Sequence, residues 1–178
     1  IFDRKSNAVS IGNIEKFSKS KKNVIDPTNI IERYGADTAR WFMLSDSPPE
    51  RDLEWTEKGV VSSYKFINKI WELVERLETY NQSLNNKTTT HLEDFDKIIN
   101  DISSNIESFH FNKSVAKIYE YVNLTSSLIT ERSTTKEELQ KIVKNIAIVI
   151  HPFIPHISEE IWEKVGDNNL CALTSWPK

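Results

Sequence analysis

The chain has 178 residues and a net charge of -3, which leaves room for one domain or two small ones and excludes binding of nucleic acid through an overall basic surface. Its single cysteine excludes an internal disulfide and a zinc site built from several cysteines, and is typical of a reducing cytoplasm. No apolar run approaches the roughly 20 residues that span a bilayer, and no signal peptide is visible, so we expect no membrane association and a cytoplasmic location.

Residues 1–55 are predicted to form short elements separated by turns. Short strands are expected around residues 8–11, next to a cluster of turn-forming residues. A basic loop follows, with four cations and no acid in seven residues, at Lys16, Lys19, Lys21 and Lys22. Such a run by itself is typical of a solvated loop and does not identify a binding site.

Two short helices are predicted after this loop. Asp26 is a suitable N-cap and Pro27 a suitable first helical residue, and Gly35 is expected to end the first helix. Asp37 is then expected to cap a second helix. Residues 41–44 of that helix are all apolar, so the helix is predicted to be buried on nearly every side.

Five longer amphipathic helices are predicted after a break at residues 45–56. Apolar residues recur at steps of three and four, and residues 133–135 form a cap region before the fourth of these helices. Five such helices are enough to bury one another as an antiparallel bundle. The sequence therefore predicts a mainly α fold, divided into residues 1–55 and 56–178. The predicted helices cover approximately residues 57–80, 92–106, 111–129, 137–150 and 155–165.

The ionisable residues outside the basic loop give no clear site. The four histidines lack the spacing of metal ligands, so no metal site is predicted. Glu159 and Glu160 lie beside an apolar stripe and are expected to face solvent. The tryptophans are expected to lie in the core. The histidines are His91, His110, His151 and His156.

The basic loop carries a resemblance to a known family. Residues 16–20 read KFSKS, which resembles the KMSKS signature of class I aminoacyl-tRNA synthetases with Phe17 in place of Met. Residues 30–40 read IIERYGADTAR, similar to the segment that follows this loop in the leucyl, isoleucyl and valyl enzymes. Residues 45–55 read SDSPPERDLEW, which resembles the leucyl enzymes more closely than the other two.

The end of the chain extends this resemblance to a second domain. Residues 151–162 read HPFIPHISEEIW and resemble the last helix of the anticodon-binding-type domain of these enzymes. The resemblance implies that residues 1–55 are a short α-rich end of a class I catalytic domain, with the lysine-signature loop. Residues 56–178 would then be the antiparallel helix bundle of the anticodon-binding type.

The resemblance also implies roles for the loop residues. Lys19, the second lysine of the signature, would contact an ATP phosphate and stabilise the transition state of adenylate formation, with Lys16 as the secondary cation. Ser18 and Ser20 would donate to phosphate oxygens or brace the loop. Phe17, also expected at the ATP site, would anchor the loop from beneath. A lysine ammonium suits this task because it is a compact charge on a flexible stem.

The implied whole protein activates leucine with ATP and Mg²⁺ and attaches it to tRNA(Leu), as a monomer. The chain starts at Ile1 and contains no HIGH-type motif, which the resemblance places upstream. We therefore expect that this fragment alone holds no cofactor and is inactive. Seven cations are candidates for tRNA contact, but none forms a signature and none is assigned. They are Lys65, Lys69, Arg76, Lys113, Lys117, Lys141 and Lys144.

Two other interpretations stay open. The chain could be the corresponding piece of a valyl or isoleucyl enzyme, against which residues 45–55 argue. It could also be a non-catalytic helical module that binds RNA or protein, an interpretation that gives no reason for the lysine loop and its context.

Overall fold

The fold consists of helices throughout the part of the chain that the computed structural model describes, residues 12–81, 92–166 and 168–177. The mainly α prediction is confirmed, and the strands expected around residues 8–11 lie outside the described residues. No helix within the described ranges is long and apolar enough to cross a membrane. The helices are α1 Pro27–Tyr34, α2 Ala36–Asp46, α3 Glu57–Glu78, α4 Leu92–Glu107, α5 Phe111–Glu131, α6 Lys136–Ile150, α7 Pro155–Val165 and a short 3₁₀ helix Cys171–Leu173.

Several helix ends follow from local sequence, as predicted. Asp26 accepts a hydrogen bond from the Thr28 amide at 2.9 Å, which caps α1. Gly35 ends α1 at a φ of 84°, where a residue without Cβ avoids strain. Thr135 and Glu138 form a reciprocal capping box at the start of α6. Hydrogen bonds from the Thr134 hydroxyl and from Thr135 lower the pKa of Glu138.

One apolar core joins α2 to the later helices. Trp41 of α2 is 0% exposed and stacks on Phe66 of α3 with ring centroids 5.1 Å apart. Its indole also approaches Tyr119 of α5 and Phe153 after α6, at 5.9 and 6.0 Å. Aromatic contacts of this kind stabilise a core beyond the area that they bury. The helix before the predicted boundary therefore shares its core with the helices after it, and the division at residues 55 and 56 stays a prediction.

Burial of α2 is less complete than its sequence predicts. Trp41 and Phe42 are buried, but Met43 is 58% exposed and Leu44 is partly exposed. The prediction of burial on nearly every side is therefore wrong at Met43. The reason is geometric, because four consecutive residues cover about 300° around a helix axis and α2 packs mainly against α3 and α5.

Asp37 caps a different helix from the one predicted. Its side chain is buried and lies inside the first turn of α2, where it gives that helix no side-chain cap. Instead, its carboxylate accepts from the backbone N–H of Ile157 at 2.8 Å and of His156 at 3.4 Å, in the first turn of α7. It also lies 2.9 Å from Nδ1 of His156. Arg40, one turn later, donates to the carbonyl oxygen of Phe153 at 2.8 Å. These contacts fasten α2 to the turn between α6 and α7.

Glu159 does not simply face solvent, contrary to expectation. Its carboxylate accepts from the backbone amides of Cys171 at 2.8 Å and Ala172 at 3.0 Å, and lies 3.1 Å from Nε2 of His151. Partial burial opposes ionisation, but these hydrogen bonds outweigh it and lower the pKa of Glu159. Glu159 therefore fastens the short 3₁₀ helix to α7.

Candidate functional site

The lysine loop leads into α1 without regular structure. Residues 19–22 form a turn, closed by a hydrogen bond of 3.2 Å from the Lys22 amide to the Lys19 carbonyl oxygen. Lys22 has a φ of 52°, in the left-handed region. Lys19 is exposed, and its Nζ has no hydrogen-bond or ion-pair partner among the described residues. No ion pair within the described ranges therefore competes with an anion from solution for this charge.

Asn23 braces this loop, a role that the sequence did not reveal. Its Oδ1 accepts from the Ser18 amide at 2.8 Å, and its Nδ2 donates to the Lys16 carbonyl oxygen at 3.2 Å. The side chain thus joins the two ends of the loop, as a local asparagine hydrogen bond does in a turn. The only sequence signal is an asparagine placed directly after a run of cations.

The other polar residues of the loop make contacts that are exposed to solvent. The hydroxyl oxygens of Ser18 and Ser20 lie 2.8 Å apart and share one hydrogen bond. Lys16 lies 3.4 Å from Asp52, and both side chains are more than 80% exposed, so water competes strongly for this pair. Lys21 pairs with Glu15 at 2.9 Å. The pairs leave the cations at the surface.

A cleft of about 490 Å³ lies between the start of the loop and the segment that precedes α3. Phe17 is 55% exposed and lines this cleft, so it is not buried beneath the loop as expected. Trp55, which also lines the cleft, packs edge-on against Phe42 of α2 with ring centroids 5.1 Å apart. The cleft is lined by Ile14, Glu15, Lys16, Phe17, Asp52, Leu53, Glu54 and Trp55.

The arrangement offers positive charge and hydroxyl donors rather than metal ligands. Lys16, Ser18 and Ser20 lie within three residues of Lys19 in the loop, and flexible ammonium groups of this kind bind phosphate oxygens. Within the described ranges, no three histidine, cysteine or acidic side chains lie together in a way that could hold a metal ion.

The chain is similar to known proteins along nearly its full length. The family described as the anticodon-binding domain of tRNA ligase matches residues 89–178, and tRNA synthetases class I (M) match residues 8–78. A leucine–tRNA ligase of Rhizorhabdus wittichii is 40% identical over 94% of this chain and 19% of the relative. One of Ruegeria pomeroyi is 42% identical over 91% of this chain and 19% of the relative.

A solved structure agrees with these relatives. The crystal structure of the ternary complex of Agrobacterium radiobacter K84 agnB2 LeuRS, tRNA and LeuAMS matches with a TM-score of 0.74 and 26% identity, over 91% of this chain and 22% of that chain. The chain spans about a fifth of the length of the curated relatives that it matches. The relatives named are leucine–tRNA ligases, so the valyl, isoleucyl and non-catalytic alternatives are not favoured. With half of its length matched by the family of anticodon-binding domains of tRNA ligases, the chain belongs to that family.

Proposed function

We propose that this chain is the lysine-loop and tRNA-binding part of a leucine–tRNA ligase. The observation that carries the proposal is the match to leucine–tRNA ligases at 40–42% identity across both the loop and the helix bundle. The whole enzyme joins leucine to ATP as leucyl-adenylate and then transfers leucine to tRNA(Leu). Residues 1–55 belong to its catalytic domain and residues 56–178 to its tRNA-binding domain.

Lys19 is the main catalytic residue in this proposal. The carboxylate of leucine attacks the α-phosphorus of ATP, the bond to the β-phosphate oxygen breaks, and pyrophosphate leaves with the bonding electrons. Negative charge therefore grows on the phosphates as the reaction proceeds. A fixed ammonium group close to that charge lowers the barrier. The unpartnered and exposed Nζ of Lys19 supports this assignment, because no ion pair within the described part of the chain has to break first.

The neighbouring residues complete the ATP site. Lys16 is the second cation, and its exposed pair with Asp52 is weak enough to exchange for a phosphate. Ser18 and Ser20 share one hydrogen bond, so at least one hydroxyl proton can turn toward a phosphate oxygen. Phe17 contributes an apolar wall of the cleft beside the nucleotide.

The partners of the whole enzyme follow from the same proposal. ATP brings Mg²⁺ on its phosphates, and no site for the metal is assigned to residues of this chain. The helix bundle binds tRNA(Leu), which agrees with the anticodon-binding family and with a neighbour solved together with tRNA. The enzyme acts as a monomer in the cytoplasm.

The proposal is tested by ATP–pyrophosphate exchange with the full-length protein that contains this chain. We expect exchange that depends on leucine. Valine or isoleucine at equal concentration should support exchange at least tenfold more slowly. Exchange that prefers valine or isoleucine would contradict it. The 178-residue chain alone, which contains no HIGH-type motif, is expected to show no exchange.

A further inference from the structure

Four cations of α3 lie in one row on the surface of the helix, which we call the α3 row. They follow one another at steps of seven, four and seven residues, which correspond to about two, one and two helical turns. They therefore share one face, over a length on the order of 27 Å at 1.5 Å per residue. The α3 row consists of Lys58, Lys65, Lys69 and Arg76.

Most acids of α3 lie away from this row. Glu57, Glu75 and Glu78 follow one another at steps of 18 and three residues, so they share a different face of the helix. Each is held there by a partner outside the row, which keeps its charge from neutralising the row. The contacts are Arg33 Nη1 to Glu57 at 3.4 Å, Trp71 Nε1 to Glu75 at 3.0 Å, and Lys164 Nζ to Glu78 at 2.6 Å.

Neutral side chains of α5 orient two members of the row. Lys69 donates to Oδ1 of Asn123 at 2.7 Å, and Arg76 donates to the hydroxyls of Ser126 at 3.2 Å and Thr130 at 2.8 Å. These acceptors carry no charge, so both cations keep theirs. The guanidinium has five N–H donors and uses two of them here, which leaves donors for a ligand.

The structure separates this row from other candidate cations. Lys117 of α5 is paired with both Asp101 at 3.0 Å and Glu120 at 2.9 Å. Among the described residues, no member of the α3 row has an ion pair with an acid. Lys58 and Lys65 are exposed and have no side-chain hydrogen bond in the described part of the chain. Within the described part of the chain, the α3 row is therefore a line of cations without ion pairs.

We propose that the α3 row binds the phosphate backbone of tRNA(Leu), an inference that rests on the proposed function. A straight line of cations over several turns matches a polymer of regularly spaced anions. The row has no exposed large apolar residue to anchor a protein partner, since Tyr64 lies on another face against Tyr34 at 5.7 Å. It also lacks an aromatic platform for base stacking, so it is expected to bind phosphates without selecting a base sequence.

The test measures the Kd of the full-length ligase for tRNA(Leu) over a range of salt concentrations. Replacing the four cations of the α3 row by glutamine is expected to raise Kd by roughly tenfold to a hundredfold near 0.1 M salt. The slope of log K against log salt should become shallower by about one for each phosphate that the variant no longer neutralises. A control variant, Lys117→Gln, removes a cation that is already paired with Asp101 and Glu120 and is expected to leave Kd nearly unchanged.

Two further variants keep the result interpretable. Lys58→Gln with Lys65→Gln removes no side-chain hydrogen bond within the described residues, so a higher Kd in this variant does not come from altered packing. Glu72, three residues after Lys69 and four before Arg76, is the acid of α3 whose position around the helix axis is nearest to the row. Glu72→Gln should therefore lower Kd severalfold.

Unchanged Kd and salt slope in the row variants, or an equal rise in the control variant, would overturn the assignment. Leucine-dependent ATP–pyrophosphate exchange, which needs no tRNA bound at α3, is measured on the same proteins. Normal exchange together with an unchanged Kd in the row variants refutes tRNA binding by the α3 row and leaves the proposed function intact. Absent exchange in the wild type refutes the proposed function instead.

Discussion

The lysine loop and the helix bundle are stabilised by different kinds of contact. The loop, residues 16–23, is mostly exposed and is held by short-range polar bonds such as those of Asn23. The helices are held by a shared apolar core that includes Trp41 and Phe66. Because the loop residues lie outside that core, substitution of the loop cations is expected to have little effect on the free energy of unfolding. The comparison predicts that activity and stability respond to different substitutions.

The largest expected effect on stability comes from Trp41→Ala. Trp41 is 0% exposed and packs against three aromatic rings, so its removal leaves a cavity between α2, α3 and α5. We expect the free energy of unfolding to fall by about 3–5 kcal/mol. Urea unfolding followed by circular dichroism measures it. Met43→Ala, on the same helix but 58% exposed, is the control, and an equal fall in both variants would contradict the core described here.

A smaller effect is expected from Asp37→Ala. This change leaves the amides of His156 and Ile157 without their acceptor at the start of α7, which should cost about 1–3 kcal/mol. Asp46→Ala removes an exposed carboxylate from the other end of α2 and should cost less than about 0.5 kcal/mol. Equal unfolding free energies for the two variants would show that Asp37 does not fasten α2 to α7.

The smallest effect on global stability is expected from Asn23→Ala. This change removes both side-chain bonds that join the ends of the loop, but it leaves the core intact. Trypsin should therefore cleave after Lys16 and Lys19 faster than in the wild type, while the free energy of unfolding changes by less than about 0.5 kcal/mol. Asn13→Ala is the control. Cleavage at the wild-type rate would show that Asn23 does not brace the loop.

Local patterns predicted much of the fold. The three- and four-residue periodicity placed the long helices, and Asp26 and Thr135 were expected at helix starts because a cap bonds to residues two or three positions away. The predictions for Asp37 and Glu159 are wrong for the opposite reason. Their partners lie 120 and 12 residues away, at Ile157 and Cys171, and sequence periodicity carries no information about such pairs.

The candidate site shows the same limit. A short motif predicts the lysines of the site, since the signature residues are neighbours in sequence. The brace at Asn23 depends on the path of the loop, which no pattern of residue types reveals. The α3 row is regular in sequence, but its charge state depends on which acids and neutral groups the fold places beside it. Only the structure showed that Lys117 is paired, whereas Lys65 has no ion pair among the described residues.

The central claim is that the charge of Lys19 acts in adenylate formation and not in folding. Its most direct test compares Lys19→Ala with Lys21→Ala in the full-length enzyme, by leucine-dependent ATP–pyrophosphate exchange and by thermal unfolding. Lys21 is two residues away and already paired with Glu15. We predict that Lys19→Ala lowers exchange by roughly 10²–10³-fold with an unchanged Tm, whereas Lys21→Ala has a much smaller effect on exchange. Unchanged exchange in Lys19→Ala, or an equal fall in both variants, would contradict it.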